Sequence, residues 1–568
     1  MYKLPRRLLT ILIVLVLPLS AQAAPERVGD FALLDSQGEF HQLSRYLHRK
    51  AVVVMSYAAD CSNMADMVAR LRDASARWEA QGVTFLLLDS NDTPRPEMAG
   101  HDLGLPVLED DGQLVSETLD ITRAGEVLVL EPLRLSLFYR GPAGGPLNEV
   151  LQQALTGSVS ETVKPPLEGC EIQYPVRDQQ LAKVPDYATE VAPIVMEKCA
   201  ECHREGGVGP FAIDSHIMLM GWSPMIREVL LNRRMPPTQV DPYVGQTKNA
   251  RHVSPEQMQT LIHWIDAGGP PSPSGDDPLA EMEFPDQKAW LLGEPDFIVE
   301  VPDTAIAAVG IMDYVYQNVP LPFTEDKWIR AVQYQAGDPS VLHHLVTYVT
   351  QPNEDFWGPE RAQTTATRSF IESFAPGRPT ATEYPAGTGV RIPAGHQLSM
   401  QFHYVTNGRA TIDRTRVGLY FHDTPPAHER LTQAVGARFT IPPNDPDYPM
   451  HNQYVFDKDV LLTGLRARMH YRGKNMKFAV ENPDGSLQDI LSVPAYNYGW
   501  QPHYHLSEPV LVPAGVPVHV IGAFDNSESN PLNPDPYKEV PFGVESWDEM
   551  FTGYFTFHAA SPDNNARE

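Results

Sequence analysis

Apolar and polar positions divide the chain into three differently patterned stretches. From about residue 25 to 160, short and mostly apolar runs alternate with amphipathic helical spacing. Ala51 to Tyr57 and Val83 to Leu88 predict strands buried on both faces, because neither run alternates with polar residues. Between them, Ala65 to Gln81 places Met67, Val68, Leu71 and Trp78 at helical spacing. Gly125 to Leu130 and Leu135 to Tyr139 predict a hairpin. Together these make an α/β unit. After a polar connector over 161–184 that contains Lys164-Pro165-Pro166, residues 185–275 switch to helical spacing. Asp186 is placed to cap a helix carrying Val191, Ile194 and Val195. A later helix has Ser254 as N-cap, Pro255 in its first turn and Gln257 completing a capping box. Met258, Leu261, Ile262 and Ile265 form its apolar stripe, and Gly268 stops it. From about 285 to 560, short alternating runs recur between Pro, Gly and Asn turns, the pattern of antiparallel β-sandwiches. A boundary near 425–432 divides this stretch into 285–428 and 429–560.

Composition adjusts this picture in few places. The chain of 568 residues is too long for one core, and 42% hydrophobic with 20% charged residues is ordinary globular composition. Most of the 53 prolines lie beyond residue 160, which suits turns and edge strands there. A net charge of −28 with no basic tail argues against a nucleic-acid partner. Residues 1–23 stand apart. Lys3, Arg6 and Arg7 precede the apolar run Leu8 to Leu19, and Ala21-Gln22-Ala23 supplies small residues for cleavage, so a signal peptide is predicted. No later run is apolar and long enough to span a bilayer. The expectation is a periplasmic or secreted protein without a membrane span after cleavage, exported by the general secretory route. Arg6-Arg7 raises twin-arginine export, and an uncleaved anchor is the other alternative.

The cysteines carry the sharpest chemistry. Of four in the chain, two stand in Cys199-Ala200-Glu201-Cys202-His203. Two thiols one helical turn apart can each add to a haem vinyl group, and the following histidine then sits under the iron. A zinc half-site would need two more soft ligands, and no further cysteine is nearby. The helical block is therefore read as a small all-α cytochrome c domain holding one covalent haem through Cys199, Cys202 and His203. Met235, in Arg233-Arg234-Met235-Pro236-Pro237, is the candidate distal ligand, with Met218, Met220 and Met225 as competitors whose spacing suits a helix core. The remaining cysteines, Cys61 and Cys170, can pair in an oxidising compartment, though no spacing dictates it.

Val28-Gly29-Asp30-Phe31, Leu34-Asp35-Ser36-Gln37-Gly38 and the strand–Cys61–helix succession resemble the thioredoxin-like redoxin domains. In active members a low-pKa cysteine sits at the start of that helix. Here Met64 stands at the usual partner position, and Gly125 stands where a cis-proline is expected. The block is read as a docking or structural module, with a peroxidase or disulfide exchanger as the alternative.

In the third stretch, His343-His344 opens an apolar strand after Gly337-Asp338-Pro339, and His403 ends Leu398-Ser399-Met400-Gln401-Phe402-His403. Adjacent histidines on a regular strand face opposite ways, so both reach one metal only where the backbone is irregular. Three imidazoles suit Cu, Zn or Fe. With Met469-His470-Tyr471-Arg472-Gly473-Lys474, Phe524-Asp525-Asn526-Ser527, Asn533-Pro534-Asp535-Pro536 and Trp547-Asp548-Glu549-Met550, these motifs resemble the copper type II, ascorbate-dependent monooxygenases, including bacterial members that also carry redoxin and haem domains. The resemblance implies two jelly-roll-like halves, each holding one copper, across a solvent-filled cleft. It implies an electron-donating copper on His343, His344 and His403, and an oxygen-binding, catalytic copper on His470 and Met550. The latter normally also takes a histidine two residues before His470, where this chain has Arg468. Arginine does not give up its proton to bind metal under ordinary conditions. Two protein ligands with water, substitution by His503, His505 or His451, or loss of the second copper remain open. The implied activity is hydroxylation of a C–H bond with O2, on a small-molecule or peptide substrate. An ascorbate-like reductant or a periplasmic redox protein would feed the haem. The alternative is a periplasmic electron-transfer or copper-binding protein whose oxygenase site has degenerated.

Overall fold

A computed structural model describes residues 26–561, apart from 99–101, 160–161, 208, 238–239, 285–288, 353, 355, 358–364 and 376–379. The predicted signal peptide lies outside the described residues. Among them, no helix is long and apolar enough to cross a membrane.

The first stretch is a thioredoxin-like α/β domain. Strands β1 (Glu26–Arg27), β2 (Ala51–Tyr57), β3 (Val83–Asp89), β4 (Val107–Glu109), β5 (Glu126–Glu131) and β6 (Ser136–Pro142) form one sheet in the order β1-β6-β5-β2-β3-β4. β2, β3 and β4 run parallel, while β5 and β6 are the expected hairpin, with β5 pairing antiparallel to β2. Helices α1 (Met64–Trp78) and α2 (Leu147–Thr156) cover the sheet with Met67, Val68, Leu71, Val150 and Leu151. All seven residues of β2 are buried, as its unbroken apolar run requires.

Residues 175–284 contain helices and no strand among the described residues: α3 (Pro175–Ala182), α4 (Ala192–Lys198), α5 (His216–Leu231) and α6 (Pro255–Asp266). Asp186 accepts from the amide of Thr189 at 3.0 Å, capping a π turn that leads into α4. At α6 both halves of the Ser254–Gln257 capping box form. Leu261 and Ile262 of its stripe are buried, but Trp264 and His263 are buried as well. The broader face is needed because α6 packs on two sides, against the helical core and against the redoxin domain. On the second side His263 lies 2.8 Å from Glu117, and Gln259 donates to the carbonyl of Gly112 at 2.9 Å.

The third stretch is β-rich. Eight antiparallel strands form its main sheet: β7 (Val315–Pro320), β8 (Leu342–Thr350), β9 (Thr365–Phe374), β10 (Gln397–Tyr404), β11 (Leu431–Ala437), β13 (Val460–Arg468), β16 (Tyr504–Val512) and β18 (Phe551–Ala559), in the order β7-β10-β8-β9-β11-β18-β13-β16. A second sheet of β12 (Tyr448–Val455), β17 (Pro517–Phe524), β14 (Gly473–Glu481) and β15 (Leu487–Val493) faces its C-terminal part across Phe478, Val520, Phe551 and Phe555. Another sheet, built around Lys327–Gln335, faces its N-terminal part across Ile329, Leu345 and Phe402. The expected pair of sandwiches thus shares a sheet. β9 pairs with β11 through Arg368–Thr432 to Thr365–Val435, so hydrogen bonding runs unbroken past the 425–432 boundary.

Candidate functional site

The shared sheet places the histidines. On β8, Leu342 pairs with Tyr404 and His344 pairs with His403, so His343 is the extra residue of a bulge. That irregularity lets two adjacent imidazoles approach a third on β10. One ring nitrogen from each of His343, His344 and His403 lies within 4.8 Å of the others. His343 Nδ1, both nitrogens of His344 and His403 Nδ1 are buried without a hydrogen-bond partner among the described residues. Burial pushes His343 down to about 4 and His403 to about 3, so the rings are neutral and keep their lone pairs at neutral pH. Orphaned buried nitrogens cost stability unless something binds them, and this donor set fits a copper ion.

The second position is built differently. Arg468 ends β13, and His470 follows it. Burial pushes His470 down to about 3. Its Nδ1 lies 3.1 Å from the carbonyl of Asp548, while its Nε2 is buried and without a partner among the described residues. Glu549, fully buried and pushed up to about 8 by that burial, accepts from the amides of His470 at 2.9 Å, Arg472 at 2.6 Å and Met550 at 3.3 Å. One carboxyl therefore ties the His470 segment to the Met550 segment. Arg468 is buried, donates to Gln501 Oε1 at 3.0 Å and lies over the ring of Tyr314. Arg468 and Met550 line a small cavity of about 50 Å³ with Tyr316, Trp357 and Gln401. Of the ligands the resemblance implies for a second copper, His470 offers Nε2, while Met550 borders the cavity beside Arg468.

Between the two positions the implied solvent-filled cleft is replaced by packed rings. Tyr314 lies 5.6 Å from His403 and 6.3 Å from His470 between ring centres, and Tyr498 lies 5.4 Å and 6.0 Å from the same two. Both tyrosines are buried. Neither was singled out from sequence, because Tyr314 sits in an unpatterned approach to β7 and Tyr498 in a loop.

The alternative ligands for His470 are engaged elsewhere. His503 Nδ1 lies 2.9 Å from Glu372 Oε1 and its Nε2 lies 3.0 Å from Thr556 Oγ1, while His505 Nε2 is 3.4 Å from Glu372 Oε2. This cluster joins β9 to β16, where Asn249 of the helical segment also bonds the backbone of His503 and His505. Burial would raise Glu372, but His503, His505 and Arg430 hold it below the usual carboxylate range. His451 stacks on His519. Their hydrogen bonds and ring contacts hold these histidines in clusters other than that of His470.

In the helical segment, Cys199 and Cys202 are free thiols pushed up by burial to about 12 and about 11. The amide of His203 donates to Cys199 O at 3.0 Å, closing the turn between them. His203 Nδ1 lies 3.1 Å from Phe211 O, which fixes the proton there and leaves the lone pair on Nε2. A Cβ on Gly209 would stand 2.8 Å from that Nδ1, so only glycine allows this approach. Two free thiols and an imidazole oriented by a carbonyl fit covalent haem. Met235 lines a cavity of about 310 Å³ with Leu231, His252 and Met258, together with Val115 of the redoxin domain and Pro494 of the β region; Cys199, Cys202 and His203 are not in its wall. Met218 and Met225 are exposed, and Met220 packs against Gly269.

In the first domain, Cys61 precedes α1 and is disulfide-bonded to Cys170. Gly125 takes φ +82° and lets Met67 approach to where a Cβ would stand 2.1 Å from its sulfur. Residues 22–137 match the AhpC/TSA family. They are a redoxin domain. Solved structures similar to this domain include a hypothetical protein from Sinorhizobium meliloti 1021, at 21% identity over 27% of this chain and 94% of that one with a TM-score of 0.24. Peroxidoxin BcpB from Mycobacterium tuberculosis is similar at 18% identity over 23% and 94%, with a TM-score of 0.20. The thioredoxin domain of a thiol-disulfide oxidoreductase from Bacteroides vulgatus is similar at 15% identity over 24% and 99%, also with a TM-score of 0.20. No curated protein matches the chain.

Proposed function

We propose that this chain is an exported haem- and copper-dependent oxidoreductase that uses O2 to hydroxylate a C–H bond of a small molecule or peptide. The observation that carries a metal-dependent redox role is the cluster of His343, His344 and His403, whose buried ring nitrogens lack partners among the described residues. Copper held there would exchange single electrons, and haem held by Cys199, Cys202 and His203 would do the same, with Met235 as the candidate second axial ligand. The protein's part is to keep the three imidazoles neutral and dry. It also orients His203 through Phe211 O and holds the His470 and Met550 segments together through Glu549.

A second reading, an electron-transfer or copper-binding protein without hydroxylation, is favoured by Arg468. A buried guanidinium beside His470 opposes a second cation and contributes no lone pair. Metal analysis of the purified protein, with haem counted separately, tests both. Two coppers per chain, one of them lost on His470→Ala, support hydroxylation. One copper, lost only on substitution at His343, His344 or His403, supports the second reading. Copper content indifferent to all four histidines overturns both.

A further inference from the structure

The helical segment grips the β region at two strands, and one long loop runs between them. The amide of Asp241 donates to Ser492 O in β15 at 2.9 Å, and residues 246–249 lie along β16. There the amide of Lys248 donates to His505 O and that of Ser507 to Gln246 O, both at 2.9 Å, with Thr247 opposite Leu506. The loop 494–503 leaves β15 and returns to β16 between these grips. Pro494 and Ala495 at its start form part of the wall of the cavity that Met235 also lines.

The middle of the loop lies on the three-histidine cluster. Between ring centres, Tyr498 is 5.4 Å from His403 and Trp500 is 5.2 Å from His343. A Cβ on Gly499 would stand 3.8 Å from His343 Cε1, so the backbone between the two rings also lies against the cluster. Local bonds fix this shape. Tyr496 Oη accepts from the amide of Met469 at 3.0 Å and donates to its carbonyl at 2.7 Å. The Trp500 amide donates to Asn497 O at 2.9 Å, and Gln501 Nε2 donates to Tyr498 O at 3.1 Å. One loop, held at both ends by the helical segment, thus joins the Met235 cavity to the three histidines.

We infer that loop 494–503 is the electron conduit between the helical segment and the three-histidine cluster, with Trp500 and Tyr498 as its terminal rings at His343 and His403. This rests on the haem and copper reading proposed above. One electron leaves the haem iron held by Cys199, Cys202 and His203, which passes from ferrous to ferric. It arrives at copper(II) on the three histidines, which becomes copper(I). No proton or atom moves with it, and neither ring is oxidised. Electron tunnelling weakens more steeply across gaps than through atoms, and packed rings leave few gaps. Both rings touch the histidines rather than an ion, so they are positioning residues.

The test uses the full-length chain with haem attached and copper(II) bound, without oxygen. A laser flash on a flavin in solution delivers one electron to the haem, whose absorbance then follows its reoxidation. Loss of the copper(II) paramagnetic resonance signal reports arrival. The native chain is expected to show a phase whose rate is independent of protein concentration. Trp500→Leu and Tyr498→Leu should each slow that phase at least about tenfold. Trp500→Phe and Tyr498→Phe, which keep a ring, should restore most of the rate. Copper affinity and both reduction potentials should stay as in the native chain. Absence of the phase in the native chain overturns the haem-to-copper reading and the conduit together. A phase that the leucine variants leave unchanged overturns the conduit alone, as does a slowing that the phenylalanine variants share in full or that a shifted potential accounts for.

Discussion

Around His343, His344 and His403, buried ring nitrogens are left without partners among the described residues. Around His470, on the far side of Tyr314 and Tyr498, most polar atoms are already committed. Arg468 is bonded to Gln501, Glu549 takes three amides, and His470 Nδ1 is bonded to a carbonyl, leaving Nε2 as the one orphaned ring nitrogen. The histidines of both positions are buried, so burial alone does not distinguish them. What differs is the accounting of donors and acceptors: one position is incomplete without a ligand, and the other is nearly complete with none.

The largest effect that would break this contrast is His344→Ala. Removing one of three ligands is expected to weaken copper binding at least about 100-fold, read by competition with a chelator of known affinity. An unchanged affinity would remove the basis for treating the two positions differently. Next, Glu549→Ala leaves three buried amides unpaired and is expected to cost about 2–4 kcal/mol, seen as a lower melting temperature of the β region. Arg468→His would sharpen the comparison from the other side. It places an imidazole at the end of β13, two residues before His470, and a roughly tenfold gain in affinity for a second copper, on the order of 1.4 kcal/mol, is expected in titration calorimetry.

The smallest effect concerns pH. Burial pushes His503 down to about 4, against the ordinary value of 6.5. Between those values the unfolded chain binds a proton that the folded chain refuses. Stability supplied by the neutral ring is therefore full above about pH 6.5 and declines as pH falls towards 4. His503→Gln is expected to flatten that slope by on the order of 1 kcal/mol in melting curves of the β region. It should leave copper affinity at the three-histidine cluster unaltered.

Features governed by neighbouring residues were legible in the sequence. The unbroken apolar run Ala51–Tyr57 could only be a strand covered on both sides, and the Ser254–Gln257 box marks a helix start within four residues. The need for an irregular backbone at His343-His344 followed from strand geometry alone, and the bulge at His343 meets it. Features set by distant residues were not legible. Tyr314 acquires its place only when β7, β8 and β13 are assembled. The pairing of Glu372 with His503, 131 residues away, has no local trace. The Cys61–Cys170 bond stayed open for the same reason, since no local pattern brings residue 170 back to a cysteine 109 residues earlier. The second face of α6 was also missed, because His263 and Gln259 look like solvent-facing residues until the redoxin domain is laid against them.

The seam where β9 meets β11 has a practical and historical consequence. A chain cut near residue 428 would leave each fragment with a bare strand edge whose amides and carbonyls had lost their ladder, a template for aggregation. The two halves of the β region are thus poor candidates for separate expression, and a half borrowed from a relative would have to arrive with a matching edge. Residues along Thr365–Arg368 and Thr432–Val435 therefore form a joint at which changes in one half must be answered in the other.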